Sequence, residues 1–316
     1  MNDAVFLFPG QGSQYVGMGK SLWETFPYVR QMFDEASEIA ERDLAALCFE
    51  GPDSLLVQTE HVQPVITLVN LAMLHVLRAE GIEPIATAGH SLGEYAALCA
   101  AGSLSFAETI RLVCFRGAVM KEAAARHPGS MTAIFGVELA ALQAICREVV
   151  DVGSVEVANH NSPRQVILTG EPIALQRAAE LAKKSGAKLI VPLKVSGPWH
   201  SRFMIGAAAR MRETLAQSPF AIPSCPVISN ATADLYPGDA IDIRNGLAEQ
   251  MVRPVLWNDS MRRLLDEGHR VFVEVGPGKV LSGLMRDIDR ETRVTSVQDV
   301  DSLGKLLALR PDPVSS

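Results

Sequence analysis

The sequence predicts an α/β fold in which a large unit with a mainly parallel sheet is interrupted by a small inserted subdomain. Three observations lead there. Strand-length apolar runs alternate with longer helical patterns at both ends of the 316-residue chain, and such alternation implies a parallel sheet covered by helices. Gly89-His90-Ser91-Leu92-Gly93 sits between a predicted strand and a predicted helix. From residue 130 to 193 the texture changes to strand, helix, strand, strand, helix, strand, which is the ferredoxin-like order. The expected boundaries are 1–128 and 196–316 for the large unit and 129–195 for the insert.

Residues 4–8 are a short apolar run broken by Pro9-Gly10-Gln11-Gly12-Ser13-Gln14, read as a buried strand entering a glycine-rich loop. Helical patterns fill 20–45. Pro64 is placed at the first position of the next helix, where its missing N–H costs nothing, and that helix runs to about residue 79. Residues 85–89 are a second buried strand, followed at once by a helix to about 101. Ser105-Phe106-Ala107-Glu108 has capping-box spacing and opens a helix to about 125. In the insert the predicted strands are 131–136, 154–160, 165–169 and 188–193, and the helices 138–149 and 171–185. Beyond it come helices at 200–217, 239–252, 257–267 and 278–289, and strands at 226–229, 271–275 and 293–297. Residues 310–316 read as a frayed tail.

Hydrophobic residues at 48% and charged residues at 21% exclude a wholly disordered or fibrous chain. A formal charge of −7 argues against a nucleic-acid binder. Five widely spaced cysteines (Cys48, Cys99, Cys114, Cys146, Cys225), odd in number and without C-x-x-C, point to reduced thiols and a cytoplasmic setting. No signal peptide is expected, nor a membrane span, because no run of about 18 apolar residues occurs. No metal-ligand spacing stands out, and a monomer is the default expectation.

The chemistry concentrates at Ser91. A tight strand-to-helix turn projects a serine hydroxyl, and the Leu92 amide at the helix start points where an oxyanion develops. Such a serine needs a base. His90 lies inside the turn and should point away from Ser91. His200, in Ser196-Gly197-Pro198-Trp199-His200-Ser201, follows the insert and returns toward the cleft; read from the residues alone, it is either that base or a polar residue at a helix start. No Asp or Glu stands out as a third member. A backbone carbonyl orienting the imidazole is the other possibility, and the residues leave this open.

Phe8-Pro9-Gly10-Gln11-Gly12-Ser13-Gln14, Gly89-His90-Ser91-Leu92-Gly93-Glu94-Tyr95, Asn159-His160-Asn161-Ser162-Pro163, the 196–200 loop and Val275-Gly276-Pro277-Gly278-Lys279-Val280-Leu281 occur in that order. Together they resemble the malonyl-CoA:acyl-carrier-protein transacylases and the related acyltransferase domains of polyketide synthases, across about residues 4–297. The resemblance implies an α/β-hydrolase-like large domain and a ping-pong reaction without a cofactor. Ser91 would attack the thioester of malonyl-CoA, His200 would act as base, and the amides of Leu92 and Gln11 would hold the oxyanion. A backbone carbonyl near Val252-Arg253-Pro254 would orient the histidine. Arg116, mid-helix in an apolar stretch, would pair with the free carboxylate of malonate, a task suited to a guanidinium fork. Gln63 and Asn161 match positions lining the family's site.

Trp199 departs from the phenylalanine or serine common before that histidine. Its larger ring leaves less room for an α-methyl branch; the alternative is a pocket reshaped for an unusual extender unit. The implied partner is an acyl carrier protein, typically acidic. Residues 171–202 carry six basic side chains (Arg177, Lys183, Lys184, Lys188, Lys194, Arg202) against two acidic ones (Glu171, Glu180), either a docking face or a solvated helix face. The pathway, fatty-acid or polyketide, is not separated by these residues. An acyl-thioester hydrolase on the same scaffold is the alternative function, and a non-catalytic binding module the third.

Overall fold

In the computed structural model, which describes residues 3–309, alternate residues of the first strand serve two different cores. The chain begins β1 (Val5–Phe8), α1 (Lys20–Thr25), α2 (Pro27–Ala40), α3 (Leu44–Glu50), α4 (Asp53–Leu56), α5 (Thr59–Ala79), β2 (Ala86–Gly89), α6 (Gly93–Ala100) and α7 (Phe106–Arg126). It continues β3 (Ser130–Phe135), α8 (Leu139–Glu148), β4 (Val155–Ser162), β5 (Gln165–Gly170), α9 (Pro172–Lys184) and β6 (Leu189–Pro192). The last part is α10 (Ile205–Gln217), α11 (Ala240–Gln250), α12 (Trp257–Asp266), β7 (Val271–Val275), α13 (Val280–Ile288), β8 (Arg293–Val297) and α14 (Val300–Leu307).

On β1, Phe6 and Phe8 face one core while Val5 and Leu7 face the other with Trp257, Met261 and Leu264. The strand period of two separates them, and a run apolar throughout is what a strand covered on both faces requires. β1 is central in a parallel sheet of order β2-β1-β7-β8. A second, antiparallel sheet has the order β4-β5-β3-β6, with α8 and α9 packed on a core of its own that includes Ile134, Leu142 and Leu168.

The two sheets belong to one molecule: Met131, Ala133, Ala158 and Ile167 of the second pack into the core of the first, and backbone contacts add to this at two places. Where the chain enters and leaves the second unit, Gly129 lies against Pro198 so closely that a β-carbon on it would come within 2.7 Å of the proline ring. At the far end of β4, Val255 N–H donates to the Ala158 carbonyl at 2.8 Å and His160 N–H donates to the Val255 carbonyl at 2.9 Å.

Four expectations need correction. Pro64 does not open its helix: α5 starts at Thr59, five residues earlier. The missing proline N–H leaves the Glu60 carbonyl without its helical donor, and Arg42 Nη1 supplies one at 2.9 Å, so the helix tolerates an internal proline. The strand expected at 226–229 is reduced to bridges at Val227 and Ile228, since Pro226 has no N–H to extend the ladder. The helix expected from 200 starts at Ile205, after a 3-10 turn at Arg202–Met204. His200, at φ 57°, cannot be helical. Finally α14, capped by Asp299 and Ser302, was not expected at all.

α5 is long and apolar enough to cross a membrane, yet 83% of that stretch is buried inside the protein, as befits a core helix. Buried Gln63, Thr67 and Asn70 interrupt its apolar run. The tail expected at 310–316 lies outside the described residues.

Candidate active site

The strand-to-helix turn after β2 carries Ser91 at φ 50°, a left-handed conformation that a non-glycine residue holds only when its surroundings impose it. Asn230 imposes it by bracketing the turn. Its Oδ1 accepts from Ser91 N–H at 2.6 Å and its Nδ2 donates to the Gly89 carbonyl at 2.7 Å. Gly93 lets α6 press against β1: a β-carbon there would stand 2.0 Å from the Phe8 carbonyl oxygen. His90 turns away, as expected, and its Nε2 meets Asn161 Oδ1 at 2.8 Å.

His200 Nε2 lies 2.8 Å from Ser91 Oγ, and His200 Nδ1 lies 2.7 Å from the Gln250 carbonyl oxygen. A carbonyl only accepts, so Nδ1 carries the proton and Nε2 offers its lone pair to the serine hydroxyl. The orienting group is therefore a backbone carbonyl, but it belongs to Gln250, two residues before the segment expected from the resemblance. The carbonyl is exposed for this purpose because Gln250 is the last residue of α11, where helical carbonyls run out of intrahelical donors. Burial above all, and then the neighbouring Arg116 charge, push the His200 pKa down to about 3, against the opposing pull of the Gln250 carbonyl.

Arg116 is 2% exposed, not a surface residue of α7. Its Nη1 donates to Gln63 Oε1 at 2.8 Å, and its Nη2 to Gln250 Oε1 at 2.9 Å and to Ser91 Oγ at 3.2 Å. No carboxylate touches it among the described residues. The Tyr95 ring lies beside the guanidinium, 5.8 Å from ring centroid to Cζ, and the oxygens it donates to are all neutral, so no anion in contact offsets its buried charge.

These groups line one end of a cavity of about 280 Å³ between the two sheets. Gln11 and Leu92 border it, and neither backbone amide is taken by a protein acceptor among the described residues. Asn161 and Trp199 also line it, the indole 4% exposed. The Asn161 side chain is already engaged, its Oδ1 accepting from His90 Nε2–H and its Nδ2 donating to Gln165 Oε1 at 2.7 Å. The opposite wall is apolar, with Phe135, Ile167 and Leu193 from the second sheet and Leu281 and Leu284 from α13.

Gln63 is not part of the wall. It sits on α5 behind Arg116, wholly buried, its Nε2 donating to Thr59 Oγ1 at 2.7 Å, so it reaches a ligand only through the guanidinium. Residues that sequence reasoning did not single out are Asn230, Gln250 and the pair of buried Glu94 and half-buried Tyr236. Glu94 stood in a quoted motif without a role; the others lie in segments with no motif. Of the basic residues at 171–202, Arg177 pairs with Glu180 and Arg202 with Glu156, while the lysines of that stretch form no ion pair among the described residues.

The chain matches the family model described as an acyl transferase domain over residues 5–311. The malonyl CoA-acyl carrier protein transacylase of Bacillus subtilis is 43% identical over 304 residues, 96% of this chain and 96% of that one. A solved malonyl-transacylase, in complex with its type II PKS acyl-carrier protein, superposes with a TM-score of 0.94 at 37% identity, covering 98% of this chain and 100% of that one. The MCAT of Streptococcus pneumoniae gives a TM-score of 0.91 at 39% identity, over 96% of this chain and 99% of that one. With matches of this identity along nearly its whole length, the chain belongs to the acyl transferase family, among the malonyl-CoA:acyl-carrier-protein transacylases.

Proposed function

We propose that the protein moves a malonyl group from malonyl-CoA to the phosphopantetheine thiol of an acyl carrier protein, through a malonyl ester on Ser91. His200 Nε2 takes the Ser91 proton as Oγ attacks the thioester carbon, and the Leu92 and Gln11 amides receive the oxyanion. The C–S bond then breaks and the imidazolium returns its proton to the departing CoA sulfur. In the second half the carrier's thiol gives its proton to His200, its sulfur attacks the ester, and Ser91 Oγ leaves with that proton. Serine, imidazole and two amides fill every role, so the steps call for no cofactor.

The observation that carries this reading is Arg116, sealed beside Ser91 with no carboxylate of its own. A carboxylate brought by the acyl group completes it; acetyl or long-chain acyl groups would leave it unpaired. The same point disfavours a hydrolase that removes uncharged acyl groups, and the names of the relatives agree. Neutralising Arg116 also removes one of the effects that depress His200, so the correct substrate makes the base stronger.

We further read residues 129–195 as a ferredoxin-like insert and residues 1–128 and 196–316 as an α/β-hydrolase-like domain. The element order, the antiparallel order β4-β5-β3-β6 and the serine turn between a parallel strand and a helix support this. Lys183, Lys184, Lys188 and Lys194 are all exposed, and are read as the cations offered to an acidic carrier. Trp199, packed on the cavity wall, is read as the group that excludes an α-methyl branch.

Incubation with labelled malonyl-CoA and candidate carrier proteins tests the reading. One malonyl unit should appear on the enzyme by intact mass, pass to the carrier faster than to water, and vanish in Ser91→Ala. Labelling of the alanine variant, or release mainly into water, would overturn it. In the same assay Trp199→Ser should admit methylmalonyl-CoA; continued exclusion would overturn the steric role of the indole.

A further inference from the structure

Glu94, the second residue of α6, is wholly buried and none of the steps above uses it. Its carboxylate accepts from the Tyr236 hydroxyl, from Gln250 Nε2 at 2.7 Å and from the Asn230 backbone N–H at 3.3 Å. No lysine or arginine touches it among the described residues. Burial pushes its pKa up to about 7, while Tyr236, Gln250, the Asn230 amide and, from further off, Arg116 pull it down.

The Gln250 amide links this carboxylate to the reacting groups. Its Nε2 donates both to Glu94 and to the Ser91 carbonyl at 2.8 Å, and its Oε1 accepts from Arg116. A carboxamide has one donating end and one accepting end. Two acceptors, Glu94 and the Ser91 carbonyl, face the same end, so that end must be the NH₂ group. The oxygen is thereby committed to Arg116. Exchanging the two ends would set oxygen against two acceptors and an N–H against the guanidinium.

We infer that Glu94 is a positioning residue for carboxylate recognition: through the Gln250 amide it holds Arg116 with a neutral oxygen, so that no fixed anion competes with the substrate's carboxylate for the guanidinium. The inference rests on the malonyl-transfer reading. Its physical sense lies in where the negative charge stands. A carboxylate directly on Arg116 would pair with the fork and compete with malonate. With no counter-charge nearby, the buried cation would be costly to keep. One amide away, Glu94 attracts the guanidinium without occupying it.

The test compares two reagents at pH 8, where Glu94 is mostly ionised: malonyl-CoA, which needs Arg116, and a neutral alkyl fluorophosphonate, which needs only Ser91 and His200. Glu94→Gln keeps the shape, removes the charge and adds a donor. Its kcat/KM for malonyl loading should fall about 10- to 100-fold, the scale of losing a hydrogen bond to a charged group. Fluorophosphonate labelling of Ser91 should change by no more than about twofold, the scatter of independent effects. In an Arg116→Ala background, Glu94→Gln should lower malonyl loading no further. Equal losses toward both reagents, a further loss in that background, or unchanged malonyl loading would each overturn the inference. If Glu94→Gln does not fold, Tyr236→Phe, which removes one donor to Glu94, should show a smaller selective loss in malonyl loading; no selectivity there overturns it too. Failure of the wild-type protein to load malonyl would strike the transfer reading itself, a separate result.

Discussion

The carboxylate role proposed for Arg116 would tie substrate choice to the strength of the base through a single side chain. It contacts Ser91 Oγ, and its charge helps to depress His200. Arg116→Ala should cost roughly 2–5 kcal/mol in kcat/KM toward malonyl-CoA, the scale for truncating one partner of a buried charge pair. Steady-state kinetics that leave this ratio unchanged would reject the carboxylate role. For His200 the sign is clear. A base whose folded pKa falls from 6.5 to about 3 is kept neutral by the fold, so its contribution to stability is present above pH 6.5 and fades as the pH drops toward 3. Nitrogen NMR of His200 should show the neutral Nδ1–H tautomer from pH 8 to below pH 5, and a higher midpoint in Arg116→Ala. A midpoint near 6.5 in the unaltered protein would contradict the burial that the structure gives it. In the sequence His200 was one of two readings and the role of Arg116 came only from the resemblance, whereas the Ser91 turn was legible from its motif. The carbonyl of Gln250 was not, since every residue has a carbonyl and only the end of α11 makes this one available.

Elements were legible where one signal dominated. β1 is apolar throughout, and α7 carries its cap at Ser105, whose hydroxyl accepts from Glu108 N–H at 3.2 Å. α14 escaped notice because Gly304 lies inside it, and glycine weakens a helical pattern by about 1 kcal/mol relative to alanine. Its capping box uses Ser302 in place of the usual Glu or Gln. The start of α5 was misplaced because proline at a helix start and proline with a substitute donor look alike in sequence. Only the structure shows Arg42 reaching the vacated carbonyl of Glu60. The contact of α6 with β1 tolerates no such substitute. Gly93→Ala would drive a β-carbon into the Phe8 backbone, which cannot swing aside as a side chain can. The expected cost is on the order of 3 kcal/mol or more, among the large single-residue effects. Urea denaturation showing a loss below about 1 kcal/mol, an ordinary value, would mean that the elbow relaxes more freely than its packing implies.

At the scale of the molecule, the change of texture near residue 130 was enough to predict a separate sheet, because helix and strand periods differ so plainly. How the second sheet is fastened was not predictable. The backbone bonds between Ala158, His160 and Val255 join segments about a hundred residues apart and use no side chain. With the close contact of Gly129 and Pro198, they add to the apolar packing of Met131, Ala133, Ala158 and Ile167 on the main core. Amide hydrogen exchange should find His160 and Val255 among the slowest positions along this seam, and β6 (an edge strand with Leu189 exposed) among the faster. Rapid exchange at both His160 and Val255 would show the seam to be loose. Met131, Ala133 and Ile167 line the cavity and also belong to the main core, so the width of the cavity is set by the same packing that holds the molecule together.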